Sequence, residues 1–324
     1  MRTSRLRIAT LAVLALALPL AACGSDDDSS SSDTTAGSAA PAGSTAGGEV
    51  PDGPTIAIGA QDFGESAILS QVYGQALEAA GYPVEQQAVG GFRDILFAAF
   101  ESGDVNFSAE YAASALEFLN GNAGEATPDA AETVALLQTQ LEPKGLAAFT
   151  PSPAVDSNSF VVTAEKAEEL GLANVSDLTA DLTLGGPPDC PENPGCLPGL
   201  ESTYGIDLSG SFVPLDGGGP LTVAALEEGE IDVAILFSTN GIIADKGWVV
   251  LTDDKGLFNA DNITPVLSQD VIDAYGADLQ ALVDSISAAL TTEGLTELNR
   301  RVDIELEDAD AVATDWLTEN GFVS

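Results

Sequence analysis

Residues 91–111 read GFRDILFAAFESGDVNFSAEY and residues 217–237 read GGGPLTVAALEEGEIDVAILF, so the second segment repeats the first at an offset of 126 positions (217 − 91). The recurring residues are Gly91, Ala98, Ala99, Glu101 and Gly103, which return as Gly217, Ala224, Ala225, Glu227 and Gly229. Each copy predicts a glycine turn, a helix, a second glycine, a strand and a polar loop with an aromatic residue, Tyr111 or Phe237. The repeat predicts two lobes of one architecture, unless the shared composition of helix–glycine–strand units produced the match by chance.

The sequence before and within the first copy alternates strands and helices. Ile56 and Ile58 predict a strand, and apolar residues at three-and-four spacing predict a helix over 68–80 that ends at Gly81. A strand over 84–89, a helix over 94–101 and a strand over 105–108 follow. This alternation is typical of an α/β fold in which a largely parallel sheet is covered on both faces.

Two polar connectors, 151–157 and 252–262, predict that the chain crosses between the lobes twice. We therefore expect a first lobe made of residues 51–154 and 256–324 and a second lobe made of residues 155–255. The last part of the chain, from about 269 to 316, is predicted to be helical. Because ligands of open α/β sheets bind beyond the carboxyl ends of the strands, Tyr111 and Phe237 are expected on facing walls of a cleft.

The N-terminal residues have the pattern of a signal peptide. Arg2, Arg5 and Arg7 precede an apolar run over 8–20, and Cys23 follows two alanines. We expect residues 1–22 to be the signal peptide, with Cys23 acylated as in bacterial lipoproteins; the alternative is a secretory cut beside a chance cysteine. Residues 23–50 lack aromatic residues and predict a flexible, lipid-anchored linker.

The composition excludes several classes of function. The 324 residues include 10 basic and 51 acidic ones, a formal net charge of −41, so the protein has almost no cations with which to bind a nucleic acid. The chain contains no histidine, which removes the commonest transition-metal ligand and the serine–histidine–aspartate type of catalysis. The glycines at 217–219 are not followed by the lysine of a P-loop, so they do not indicate a nucleotide-binding site. We expect no cofactor and no metal site.

Cys190 and Cys196 flank a segment rich in proline and glycine. On a secreted chain this arrangement predicts a local disulfide that closes the loop. A zinc site with two cysteines would need further ligands.

Several segments of the two lobes resemble the glycine betaine/choline/carnitine family of ABC-importer binding proteins. The resemblance covers nearly the whole chain after the linker, and its most specific motifs are Glu110-Tyr111, the Cys190–Cys196 loop with Leu197-Pro198-Gly199-Leu200, and the segment 215–220 followed by 234–239. It implies a type II periplasmic-binding-protein fold, with two lobes of mixed or parallel sheets joined by a two-strand hinge. It also implies an extracytoplasmic, monomeric protein that works with an ABC permease and its ATPase.

The resemblance implies a site for a small quaternary-amine solute. A trimethylammonium group has a diffuse charge and no N–H, so aromatic faces suit it. Tyr111 is the predicted aromatic wall, with Phe63, Phe160 and Phe237 as further rings; family members commonly place tyrosines where this chain has Phe160 and Phe237. The predicted polar partners are Gln61, which stands where a lysine often occurs, and Asn158, Ser238, Thr239 and Asn240. Arg93 either clamps a solute carboxylate or forms a structural ion pair.

The sequence leaves other functions open. A binding protein for another small polar solute and a solute-sensing partner of a membrane receptor use the same fold. A carboxylate-based enzyme would need Glu65, Glu110 and Asp216 to converge in the cleft. Nothing in the spacing of these acids demands that convergence, so we expect a binding protein without catalytic residues.

Overall fold

The computed structural model describes residues 52–188, 190–216 and 218–324. The predicted signal peptide, the acylation site Cys23, the predicted linker and Gly217 of the second repeat lie outside the described residues. The described chain forms two five-stranded sheets. Their strands, in chain order, are β1 (Ile56–Ala60), β2 (Val84–Ala88), β3 (Phe107–Tyr111), β4 (Leu146–Ala148), β5 (Asn158–Val162), β6 (Leu184–Gly186), β7 (Phe212–Pro214), β8 (Val233–Phe237), β9 (Val249–Val250) and β10 (Ile263–Ser268).

Helices cover the sheets. They are α1 (Gly64–Ala79), α2 (Arg93–Ser102), α3 (Ala112–Asn120), α4 (Ala130–Leu141), α5 (Ala164–Leu170), α6 (Leu197–Gly199), α7 (Pro220–Glu227), α8 (Gly241–Lys246), α9 (Gln269–Ala289), α10 (Thr292–Asn299) and α11 (Ala309–Glu319). Short 3-10 turns occupy Glu142–Lys144, Val175–Asp177 and Ser209–Ser211, and π turns occupy Leu200–Tyr204 and Arg300–Ile304. No described helix combines the length and apolar character that a bilayer span requires.

The two sheets share one topology. The first has the order β2-β1-β3-β10-β4 and the second the order β7-β6-β8-β5-β9. In each, the central strand pairs in parallel with one neighbour, β1 or β6, and antiparallel with the other, β10 or β5. The strand of the second repeat copy lies where the offset places it, because 107 + 126 gives 233 and 111 + 126 gives 237. The predicted α/β fold with two related lobes is confirmed.

Apolar residues on the predicted faces form the cores. In the first sheet, α1 and the C-terminal helices pack on one face around Ile58, Leu69, Phe107 and Val283, whereas α2, α3 and α4 cover the other face. The second sheet is covered in the same way by two clusters. Burial of these side chains is the main stabilising contribution, at roughly 25 cal/mol per Å² of apolar surface.

The helix predicted over 68–80 ends at Ala79, and Gly81 follows in the left-handed conformation with a φ of 96°, as expected of a residue after a helix. The predicted C-terminal helical region is interrupted. It divides into α9, α10 and α11: Leu290 takes an extended conformation and Thr291 caps α10 through its side chain, and the π turn Arg300–Ile304 follows α10 before α11 begins.

The two connectors between the sheets lie side by side. Val155 and Asn262 form an antiparallel bridge, and the Asp156 amide donates a hydrogen bond to the Asp261 carbonyl oxygen at 3.2 Å. A paired crossing of this kind is the structural arrangement expected of a hinge between two lobes.

Candidate functional site

A cavity of about 1200 Å³ lies between the two sheets. Its walls come from α2 and α3 of the first lobe, from both connectors, and from β8 and the cysteine loop of the second lobe. The lining residues that carry charge, a ring or a side-chain amide are Arg93, Glu117, Phe118, Asn122, Asp156, Asn158, Asn193, Phe237, Phe258, Asn259 and Asp261. A solute in this cavity would contact both lobes and the connectors at once.

Arg93 is the one basic residue among those that line the cavity. It stands at the start of α2, and its Nε donates to Oε2 of Glu110 at 3.0 Å. Gln61 donates to the other Glu110 oxygen at 3.2 Å. Glu110 is fully buried, and burial raises its pKa while the Arg93 charge opposes that rise. The positive charge of Arg93 is therefore balanced by a carboxylate beneath the cavity wall.

Two further carboxylates of the wall are held by hydrogen bonds. Glu117 accepts from the amides of Gly124 and Ala126, each at 2.7 Å, and so fixes the loop after α3. Asp261 accepts from the Ser114 amide at 2.9 Å and from the Ser114 hydroxyl at 2.5 Å. Burial raises the pKa of Asp261.

Asp156 differs from these acids. Its Oδ1 atom is buried and has no hydrogen-bond partner among the described residues. Burial raises the pKa of Asp156 well above its ordinary value of 3.8 and the negative charge of Glu65 raises it further, whereas hydrogen bonds between the Asp156 carboxyl group and Thr239 oppose the rise. An acceptor atom that is buried without a partner raises the free energy of the folded state, and such atoms are rare in proteins. We therefore expect Oδ1 of Asp156 to lower the stability of the fold.

Glu65 joins the two lobes. One of its oxygens accepts from the Tyr111 hydroxyl at 2.7 Å. The other accepts from the Thr239 hydroxyl at 2.6 Å and from Nδ2 of Asn299 at 2.5 Å. Burial raises the pKa of Glu65, and these three hydrogen bonds oppose the rise. Because Thr239 follows β8 and the other donors belong to the first lobe, the contact connects the lobes beside the cavity.

Three phenylalanines give the cavity its aromatic surface. Phe118 stacks on Phe97 with ring centroids 5.6 Å apart, and Phe258 lies against Phe160 at 5.7 Å. Phe237 ends β8 with 50% of its side chain exposed. Aromatic faces beside carboxylates attract a cation through both the ring quadrupole and the negative charge.

The structure brings Arg93, Asn158 and Phe237 of the predicted site to the cavity wall. It pairs Cys190 with Cys196, whose Cα atoms lie 5.2 Å apart, and the loop that they close contributes Asn193, Pro194 and Gly195 to the wall. Arg93 therefore forms an ion pair with Glu110 and also lines the cavity.

The structure places two of the predicted rings outside the cavity lining. Tyr111 is only 5% exposed and is not part of the cavity lining, because its hydroxyl binds Glu65 beneath the interlobe contact. Phe160 lies two residues deeper in β5 than Asn158 and is completely buried in the core of the second lobe.

Five other predicted residues also lie outside the lining. Phe63 packs beside the Tyr111 ring at a centroid distance of 6.0 Å, and Gln61 binds Glu110. The Ser238 hydroxyl donates to the Val155 carbonyl oxygen at 3.0 Å and so fixes a connector. The Asn240 side chain caps α8 by accepting from the Ile242 amide at 3.1 Å. Thr239 also lies outside the lining and takes part in the contact between the lobes instead.

The cavity wall also includes residues that were not predicted from the sequence, among them Phe118, Asp156, Phe258 and Asp261. Asp156 and Asp261 stand inside the two predicted connectors, and an acid at a predicted hinge is a signal that could have identified them. Phe118 and Phe258 have no such signal, because isolated phenylalanines are more often core residues.

The three carboxylates considered for an enzyme do not converge in the cavity. Glu65 and Glu110 are buried in the networks described above, and Asp216 caps α7 by accepting from the amides of Leu221 and Thr222 at 3.0 and 2.9 Å. Within the described residues, no group of three acids or cysteines is arranged to hold a metal ion.

Comparison with known proteins gives consistent results. The profile of the family described as "Substrate binding domain of ABC-type glycine betaine transport system" matches residues 54–319. The glycine-betaine-binding protein of Pseudomonas aeruginosa is 29% identical over 279 residues, with 82% of this chain and 88% of that protein covered. The glycine betaine-binding protein YehZ of Escherichia coli K12 is 27% identical, with 82% and 91% covered. A crystal structure of a glycine betaine/carnitine/choline ABC transporter protein superposes with a TM-score of 0.75 at 25% identity, with 82% of this chain and 99% of that chain covered.

Proposed function

Because the chain belongs to the family of substrate-binding domains of ABC-type glycine betaine transport systems, we propose that it captures a quaternary-amine solute in the cavity between its lobes. Glycine betaine and choline are the solutes of this class that we consider first. The protein then delivers the solute to an ABC permease and its ATPase. It acts as a monomer and makes or breaks no bond.

One observation carries this proposal: the cavity wall combines Arg93 of the first lobe, Asp156 of a connector, and Asn158 and Phe237 of the second lobe. A solute that touches all of these binds more tightly when the lobes are close together. Its differential affinity therefore shifts the hinge equilibrium toward the closed form that a permease recognises. We assign residues 51–154 and 256–324 to the first lobe and 155–255 to the second.

The aromatic surface supports the choice of solute. Each contact of a quaternary ammonium with a ring contributes about 0.5 to 2 kcal/mol once water is displaced. Phe118, Phe237 and Phe258 supply three such rings, and the family match independently favours a quaternary amine.

Isothermal titration calorimetry tests the proposal. Purified protein is titrated with glycine betaine, choline, carnitine and proline betaine, and sucrose serves as the uncharged control. We expect saturable binding of at least one quaternary amine with one site per chain, and none of sucrose. A lack of heat with all four amines, confirmed by unchanged melting temperatures, would reject the quaternary-amine assignment.

We also propose that the protein is a lipoprotein on the outer face of the cell membrane, held through Cys23. The support is the sequence pattern of Arg2, Arg5 and Arg7, the apolar run and the alanines before Cys23. Expression of the full chain and of Cys23→Ser, followed by fractionation, tests this. We expect the wild-type protein in the membrane fraction and the variant in the soluble fraction. Equal amounts of both proteins in the membrane fraction would contradict acylation.

A further inference from the structure

The contact between the lobes is built around the hydroxyl group of Thr239. This hydroxyl donates to Glu65 at 2.6 Å, and Thr239 is also the hydrogen-bond partner of the Asp156 carboxyl group through its amide and its side chain. Gly241 lies two residues further along the chain, and a side chain there would overlap the backbone of Arg300. The segment 239–241 of the second lobe is therefore packed directly against the first lobe.

The number of hydrogens in this network indicates a bound proton. A hydroxyl group has one hydrogen and donates it to one acceptor at a time. Glu65 already receives the Thr239 hydrogen, together with hydrogens from the Tyr111 hydroxyl and the Asn299 amide. The Thr239 oxygen is then left to accept from the Asp156 side chain, which requires a hydrogen on Asp156. If Thr239 instead donated to Asp156, the same hydrogen would be required on Glu65.

The Oδ1 atom of Asp156 leads to the same conclusion. It has no hydrogen-bond partner among the described residues, and no water molecule can reach it. An ionised carboxylate carries negative charge on both oxygens, whereas a protonated carboxyl group carries none. A neutral oxygen without a partner raises the free energy of the folded state much less than an unpaired buried charge. A water molecule or a metal ion has no room to compensate such a charge at Oδ1.

Positive side chains do not neutralise this network either. Arg93 is paired with Glu110, and Arg300 is paired with two exposed glutamates. Among the described residues, no lysine or arginine forms an ion pair with Glu65 or Asp156. The titratable groups that act on Asp156, or on its neighbours in the network, come from α1, β3, the second connector and the π turn, and they are Glu65, Glu110, Tyr111, Asp261 and Asp303. A proton is the compensating charge that remains.

We infer that the carboxyl groups of Asp156 and Glu65 hold one proton between them across the contact of the lobes, and that this proton controls whether the lobes stay in contact. In the contact, Asp156 donates to Thr239, which donates to the Glu65 carboxylate. When the second lobe moves away, water replaces Thr239 at both acids and Asp156 releases its proton. Acid therefore favours the contact, and alkali favours separated lobes. This inference goes beyond the proposed function and holds whichever solute the cavity takes.

The size of the effect follows from the number of protons released. Burial and the charge of Glu65 raise the pKa of Asp156 in the contact, whereas in water the group has its ordinary value of 3.8. Between these two values, separation of the lobes releases one proton. The ratio of separated to contacting molecules should therefore rise about tenfold per pH unit in this range. Below pH 3.8 and above the raised value, the ratio should be constant.

Single-molecule fluorescence transfer between dyes on the two lobes measures this ratio. The dyes are attached to cysteines introduced at exposed positions, Glu168→Cys in α5 and Glu319→Cys in α11, in a chain that also carries Cys23→Ser. Cys190 and Cys196 are bonded to each other and offer no free thiol. Without solute, from pH 3.5 to 9, we expect two distances between the dyes, with the longer one more populated as pH rises.

Three further changes in the labelled chain identify the groups responsible. Asp156→Asn keeps a hydrogen donor for Thr239 but cannot release it as a proton, so we expect a ratio that does not depend on pH. Glu65→Gln should move the rise to lower pH, since Asp156 loses a neighbouring negative charge. Asp278→Asn, at an exposed residue of α9, should behave as the labelled chain without these changes.

The outcomes are distinct. A ratio that stays constant with pH in the labelled chain would overturn the inference, even if Asp156→Asn failed to fold. The same pH dependence in a folded Asp156→Asn variant would also overturn it. Because no solute is present, neither result bears on the proposed function, which calorimetry tests separately.

Discussion

The Thr239 hydroxyl of the second lobe donates a 2.6 Å hydrogen bond to the Glu65 carboxylate of the first. Both residues are buried, with 2% and 7% of their surfaces exposed. The same carboxylate accepts from Tyr111 and Asn299, so a single acid gathers donors from three segments of the chain. A buried carboxylate is tolerated only when such donors surround it, and this contact therefore holds the lobes in their present arrangement.

Replacement of Thr239 by valine should lower the free energy of unfolding by about 1 to 3 kcal/mol, because the buried Glu65 carboxylate loses a donor. Urea denaturation followed by circular dichroism measures the difference. Thr139→Val is the matched control, since the Thr139 hydroxyl is exposed and bonds only the Leu136 carbonyl within its own helix. Equal losses in the two variants would show that the interlobe hydrogen bond is not stabilising.

Removal of Arg93 should leave Glu110 as an unpaired buried charge. We expect Arg93→Gln to lower the free energy of unfolding by about 2 to 4 kcal/mol, and Arg93→Gln with Glu110→Gln to recover part of that loss. The exposed pair of Lys144 and Glu101, also 3.0 Å apart, provides the control. Lys144→Gln should cost less than about 1 kcal/mol. A double variant less stable than the single one would contradict the ion-pair account.

The stability gained by Asp156→Asn should depend on pH. The pKa of Asp156 is raised in the folded protein, so this group stabilises the fold only while it is protonated, and that contribution is lost as pH rises through the raised value. The acidic neighbours Glu65 and Asp261 and the phenol of Tyr111 surround it. We expect the variant to melt at a higher temperature than the wild type near pH 8, with a difference that disappears near pH 3.8, the ordinary pKa of the group.

Melting temperatures measured from pH 3.5 to 8.5 in the absence of solute test this expectation. A difference that stays constant over the range would mean that the charge of Asp156 costs the folded protein nothing. A gain at neutral pH would show that the buried carboxylate of Asp156 lowers the stability of the folded protein.

Phe237→Ala should weaken the binding of whichever quaternary amine the protein takes by about 2- to 30-fold, the loss of one cation–π contact. Its exposed position at the end of β8 should leave the melting temperature nearly unchanged. Phe322→Ala is the control, because Phe322 stacks on Trp316 with ring centroids 6.0 Å apart and does not line the cavity. It should lower stability and leave affinity unaltered. The opposite pattern would remove Phe237 from the site.

Replacement of both Cys190 and Cys196 by serine should lower the free energy of unfolding by about 2 kcal/mol, since the disulfide closes only a short loop. Solute affinity should weaken without being abolished, because Asn193, Pro194 and Gly195 of this loop form part of the wall. Calorimetry and urea denaturation of the variant measure the two effects. Unaltered affinity would indicate that the loop keeps its shape without the disulfide.

The repeat made the fold predictable. Both copies carry the same turn, helix and strand signals at a constant offset, and the structure places β3 and β8 at equivalent positions in two sheets of one topology. The connectors were also predictable from their composition, because most of their residues are polar, although Ala154 and Phe258 pack against the cores. These features are local or periodic, and local backbone preferences and hydrophobic spacing act within short segments of the chain.

The site was only partly predictable, and Tyr111 and Phe237 show why. They occupy the same position in the two copies, yet Tyr111 is 5% exposed and Phe237 is 50% exposed. The difference arises because Glu65, Thr239 and Asn299, which are distant in sequence, meet over the Tyr111 hydroxyl. Phe160 and Asn158 lie on the same face of β5. Phe160 lies farther inside the sheet and is buried in the core, whereas Asn158 lies at the end of the strand and lines the cavity.

The sequence by itself determined the two-lobed α/β architecture, the polar connectors and the disulfide loop. Only the tertiary structure decided which aromatic rings and carboxylates line the cavity. Burial, hydrogen bonding and shifted pKa values depend on which segments meet in space, and Asp156 and Asp261 become one acidic wall only after the two connectors pair.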